Sequence, residues 1–121
     1  MAHNSLILKW LPPVLWAALI FYLSSMSDLR SDFSNDLDFV LRKIAHVLEY
    51  AVLAALLARA WPRRKYLFWE VFTVVAFYAA SDETHQLFVV GRAGSARDVL
   101  IDSIGAFLGL QVYNWLDWRR K

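Results

Sequence analysis

Two of the three histidines sit beside carboxylates at helical spacing: His46 precedes Glu49 by three residues, and His85 follows Asp82 by three and Glu83 by two. Asp102 adds another acid, four residues after Asp98. An imidazole next to a carboxylate suits general acid or base work, because its proton exchanges near neutral pH and the carboxylate fixes its orientation. His46, Glu49, Asp82, Glu83, His85 and Asp102 are therefore candidate catalytic residues. His46 or His85 would move the proton, and Asp82, Glu83 or Asp102 would orient it. Lys43, Arg92 and Arg97 could clamp an anion near lipid headgroups, with Tyr50, Gln86 and Asp98 as further ligand-binding candidates.

Each assignment has a plainer competitor. The histidines could be hydrogen-bonded packing residues. Arg92 and Arg97 could hold bulk phospholipid or pair with Asp98, and Asp98 or Ser95 could simply cap the fourth helix. Glu70, with Arg63 and Lys65 nearby, reads as a surface ion pair. His46-x-x-Glu49 and Asp82-x-x-His85 match the spacing of metal-binding pairs in helical bundles. The first pair has the reverse order and no fifth ligand stands out, so no metal is assigned and no cofactor is identified. There is no cysteine, hence no thiolate site, and no P-loop, glycine fingerprint or Ser-His-Asp spacing.

The elements holding these residues are apolar. The chain has 121 residues, enough for one domain, and is 59% hydrophobic with a mean hydropathy of +0.38. Soluble chains average roughly 45–50% apolar residues, and a soluble domain this small could not hide the excess. The net charge of +2 comes from clusters at the ends of apolar runs, a membrane pattern rather than a nucleic-acid one.

Four runs follow one another: Leu6 to Leu23, Phe39 to Trp61, Tyr66 to Val90, and about Asp98 to Trp118. Each approaches the ~20 residues a spanning helix needs. Ser24 to Ser27 offers no A-x-A cleavage pattern, so the first run reads as a span despite Lys9 near its start. The polar stretch from Ser25 to Asp38, the basic turn around Pro62 and the loop Gly91 to Arg97 connect the runs. The expected fold is all-α: a polytopic bundle of four transmembrane helices in one domain over residues 1–121. Eight cations (Lys9, Arg59, Arg63, Arg64, Lys65, Arg119, Arg120, Lys121) fall on the side of the termini, against five (Arg30, Arg42, Lys43, Arg92, Arg97) opposite. The positive-inside rule makes this N-in/C-in in a multi-pass cell-membrane protein, and Trp10, Trp61, Trp69, Trp115 and Trp118 mark the cytoplasmic interface.

At about 100° per residue, Arg42, Lys43, His46, Glu49 and Tyr50 share an arc of roughly 120°; Tyr78, Asp82, His85 and Gln86 share a similar one. Asp98, Asp102, Gly105 and Gly109 stack on one line of the fourth run. His46, Asp82 and Asp102 would lie roughly 8–12 Å below the extracytoplasmic surface. A charge at the bilayer centre costs about 2.5–3.5 kcal/mol or more, so such groups must pair or line water, which predicts one shared polar pocket. Gly105-x-x-x-Gly109 permits close helix approach, either within the chain or in a homodimer; the acids on the same face favour packing within the chain.

These residues resemble the VanZ-like family, small membrane proteins named after an accessory factor in glycopeptide resistance. The resemblance runs through Phe21-Tyr22-Leu23-Ser24-Ser25, Lys43-x-x-His46-x-x-Glu49-Tyr50 and Asp82-Glu83-x-His85-Gln86-x-Phe88, then Gly91-Arg92 and Asp98-x-x-x-Asp102-x-x-Gly105, nearly the whole chain. Val90 stands where the family often has proline, and Asp102 where it often has asparagine. The resemblance implies a tie to the cell envelope and to tolerance of teicoplanin-type glycopeptides, and it carries no specific reaction. The expected function is binding of, or action on, a cell-envelope amphiphile, with a membrane lipid or lipid-linked precursor as partner and no nucleic acid. Whether the chain is an enzyme stays open. The alternative is a structural or partner-stabilising protein whose polar network only fixes helix packing. Proton-coupled transport is disfavoured because the cytoplasmic halves of the runs are too apolar for a path.

Overall fold

The computed structural model describes residues 2–25, 35–86, 88 and 96–120. Among these, all regular structure is helical: α1 spans Ala2–Ser25, α2 Asn35–Ala60, α3 Leu67–Gln86 and α4 Ala96–Arg120. The boundaries differ from the sequence expectation at the starts of α1 and α2. α1 starts before its apolar run and continues through Pro12 and Pro13, whose missing N–H groups cost two backbone bonds. α2 begins at Asn35, so Asp36 and Asp38 belong to its first turn rather than to a loop. Acidic residues there suit the positive end of a helix.

α2 is the hub, touching α1, α3 and most extensively α4. α3 also contacts α1 and α4, while α1 and α4 stand apart on opposite sides. Contacts along the helices set their directions. Trp10 meets Trp61 with ring centroids 6.0 Å apart, and the Arg63 guanidinium meets Asp117. The start of α1, the α2–α3 turn and the end of α4 therefore share one end of the bundle. It follows that α2 and α4 run parallel, with α1 and α3 antiparallel to them.

Small residues allow this parallel contact. A Cβ on Gly105 would sit 2.5 Å from the Val47 carbonyl oxygen, and one on Gly109 closer still to that of Ala51. The two backbones thus meet directly, and the glycine stripe is occupied by the chain's own second helix. Tyr50, Leu53, Ala54, Ala58, Val71, Val75, Ala79, Ala106 and Leu110 form the buried centre. Phe68 and Phe72 pack edge-on against Phe107, joining α3 to α4.

A few acids are buried with the apolar core, while many large apolar side chains are exposed. Asp82 and Asp102 are each 1% exposed, whereas Leu8 is 67% and Phe77 72% exposed. Exposed apolar side chains also run along α1 at Leu6, Val14, Leu15 and Leu19. Two helical segments, Asn4–Ser24 and Ala96–Arg120, are long and apolar enough to cross a membrane. α2 and α3 are diluted by charge, with Arg42, Lys43, Glu49 and Arg59 in one and Glu70, Asp82 and Glu83 in the other.

Candidate functional site

Helical periodicity aligns Lys43, His46 and Tyr50 on one stripe of α2, at steps of three and four residues. Each meets a carboxylate from another helix. Lys43 forms an ion pair with Asp98 of α4. One turn deeper, His46 Nδ1 lies 3.0 Å from Asp102 Oδ1, also on α4. Deeper again, the Tyr50 hydroxyl donates to Asp82 Oδ2 of α3 at 3.1 Å. The parallel course of α2 and α4 makes the first two rungs possible, since acids four residues apart on one helix face bases three apart on the other. Exposure falls along the ladder: the Lys43 side chain is 26% exposed, that of His46 21%, and Tyr50 is fully buried.

The lower rungs are incompletely satisfied. Asp82 Oδ1, Asp102 Oδ2 and His85 Nε2 are buried without a hydrogen-bond partner among the described residues. Asp82 and Asp102 are near enough for their charges to interact. A buried carboxylate oxygen without a donor carries an uncompensated desolvation penalty, about 1–3 kcal/mol or more when charged.

The remaining predicted residues distribute as follows. Glu49 lies within electrostatic range of His46 and Tyr78, and Glu83 is buried at 6% exposure. His85 stacks on Phe21 of α1, with centroids 4.2 Å apart. Arg97 is exposed in the first turn of α4. Asp98 also lies within that turn and pairs with Lys43. Arg92 and the side chain of Gln86 lie outside the described residues. Glu70 does form an ion pair, but with Arg64 at 3.6 Å, while it also accepts from the Trp61 indole at 2.9 Å; Arg63 turns to Asp117 instead.

Sequence reasoning overlooked α1 as a wall of the site. The Trp16 indole donates to the Glu49 carbonyl at 2.8 Å, Tyr78 donates to the Ala17 carbonyl, and Ser24 is buried at 5% exposure beyond Phe21. The run Phe21-Tyr22-Leu23-Ser24-Ser25, polar hydroxyls closing an apolar helix, was the available signal. Beside the Lys43 rung, a groove of about 290 Å³ opens on the outer face of α2 and α4, lined by Lys43, Ile44, Val47, Leu48 and Ile101. No group of three or more potential metal ligands occurs among the described residues.

Chemically, the arrangement offers a cation at its more exposed end, an imidazole–carboxylate pair in the middle and acceptor oxygens below. No curated protein and no solved structure matches the chain. The VanZ/LLP1 family model, however, matches residues 6–117, which include every described rung of the ladder and the α1 wall. By that match, the chain belongs to the VanZ/LLP1 family.

Proposed function

We propose that this chain is a multi-pass membrane protein, one domain over residues 1–121, whose four helices all span the bilayer with both termini cytoplasmic. The Lys43–Asp98 end of the ladder faces outward. There it binds the polar head of a membrane lipid or lipid-linked envelope precursor, and through that amphiphile influences susceptibility to teicoplanin-type glycopeptides. The observation that carries this reading is the set of buried polar atoms without a partner, Asp82 Oδ1, Asp102 Oδ2 and His85 Nε2, inside a bundle with an apolar exterior. Ionisable groups held at such a position mark a functional site by default. The groove beside Lys43 supports an amphiphile in particular, because its other four lining residues are aliphatic and would accept an acyl chain next to the cation. Lys43, Arg92 and Arg97 would hold an anionic headgroup, with Tyr50, Gln86 and Asp98 contacting it. Any chemistry would run through His46, oriented by Asp102, or through His85, with Glu49, Asp82 and Glu83 around them.

The test is replacement of Glu49 by Gln, Asp82 by Asn and His85 by Ala in cells, scored for glycopeptide tolerance alongside the amount of protein in the membrane. Tolerance should fall while the protein remains inserted. Full tolerance in all three variants would overturn the reading. Lipid profiles with and without the protein separate an enzyme, which shifts one envelope lipid, from a binding protein, which shifts none.

A second reading has its own support. Lys43–Asp98, His46–Asp102 and Tyr50–Asp82 are pairs closed within the fold, as expected of a scaffold that uses polar contacts to fix helix register. Under it tolerance falls only in step with the amount of protein in the membrane.

A further inference from the structure

The end of the bundle opposite the ladder carries a second polar recess. The α2–α3 turn lies against the last turns of α4, and a cavity of about 190 Å³ remains between them, lined by Arg63, Arg64, Lys65, Phe68, Tyr113 and Asn114 among others. One of its three cations is already committed. Arg63 forms a two-pronged bond to Asp117, at 2.6 and 3.0 Å, that ties the turn to α4. Arg64 is 62% exposed and only loosely engaged by Glu70 at 3.6 Å. Lys65 leans over the ring of Tyr66 at 5.3 Å. Arg64 and Lys65 thus keep donor capacity at the rim, Asn114 adds an amide, and Phe68 supplies an apolar wall.

We infer that this recess is a binding site for the phosphate diester of an anionic phospholipid in the leaflet at this end of the bundle. Three cations against Asp117 in the lining and Glu70 beside Arg64 leave a net positive charge that selects a negative headgroup, and the guanidinium geometry suits phosphate oxygens. The surroundings select a lipid over a free ion. Tyr66, Trp69 and Trp115 are exposed around the same end, and Arg119 lies 4.8 Å from the Trp115 ring, a belt typical of the headgroup layer. The site is separate from the ladder and rests on the membrane-spanning reading alone, so either site can fail without the other.

The experiment uses the full chain in mild detergent, offered equal amounts of phosphatidylglycerol and phosphatidylcholine, with retained lipid counted by native mass spectrometry. The probe variant is Arg64→Gln with Lys65→Gln, which spares the Arg63–Asp117 tie and so the fold. The control is Lys9→Gln with Arg59→Gln, two exposed cations outside the recess and equal in charge removed. Wild type should retain phosphatidylglycerol preferentially, and the probe variant should lose about fivefold of that preference for each cation removed. The control should keep it, and millimolar inorganic phosphate should not displace the lipid. Equal retention of both lipids by wild type, equal losses in probe and control, or displacement by inorganic phosphate would overturn the inference. Circular dichroism of each variant reports whether the helices survive.

Discussion

His46 on α2 and Asp102 on α4 lie 3.0 Å apart, ring nitrogen to carboxylate oxygen, although 56 residues separate them in the chain. The acid is 1% exposed and its second oxygen has no partner, so the imidazole is its one anchor among the described residues. Replacing Asp102 by Ala should therefore strip His46 of its partner and lower stability by about 1–3 kcal/mol. Asp102→Asn, which retains an acceptor of the same shape, should cost clearly less. Melting of the two variants in the same detergent checks the order, and equal melting temperatures would contradict it.

The Tyr50–Asp82 bond ties α2 to α3 at full burial. Tyr50→Phe and Asp82→Asn should each destabilise the chain. Combined, they should cost less than the sum of the two, with a coupling of about 0.5–3 kcal/mol. A double-mutant cycle on unfolding measures it, and strict additivity would mean the bond contributes nothing.

Gly105 and Gly109 set how closely α2 approaches α4. Gly105→Ala and Gly109→Ala push a methyl group into backbone rather than into a yielding side chain. Each should cost on the order of 1–3 kcal/mol and weaken the Lys43–Asp98 and His46–Asp102 rungs together. Leu108→Ala, at an outward-facing position 49% exposed, serves as the control and should melt near wild type. Glycine variants as stable as that control would rule out the close contact.

The Arg63–Asp117 tie closes the α2–α3 turn onto α4. Asp117, by its hydrogen bond and its charge, raises the Arg63 guanidinium above its ordinary value. A raised cation stabilises the fold at every pH below its unfolded value, and that contribution is lost only as pH climbs through the folded one. The tie should accordingly be unchanged between pH 7 and about 10, because arginine stays protonated throughout. Asp117→Ala should free the turn and speed tryptic cleavage after Arg63, Arg64 and Lys65. Cleavage at the wild-type rate, or a wild-type rate that rises between those pH values after correction for the protease, would count against the tie.

Much of this organisation was legible in the linear chain. Four helices, their order, and the grouping of Lys43, His46 and Tyr50 on one face follow from helical periodicity, which needs only local spacing. The meeting of acids from two other helices with that face followed from the expense of leaving charge among apolar side chains. Helix ends were less legible: Asp36 and Asp38 are polar enough to read as loop, yet a helix tolerates acids in its first turn. The role of α1 was hidden because Trp16 and Tyr78 act through backbone carbonyls, which carry no residue-specific signature.

What the sequence alone determined, then, is which residues share a helical face and that their charges had to find partners. The partners themselves were decided only in three dimensions: Asp98 for Lys43, Asp102 for His46 and Asp82 for Tyr50. The reason is that pairing across helices depends on their register and separation. Here direct backbone contact at Gly105 and Gly109 sets both, by bringing α4 against Val47 and Ala51.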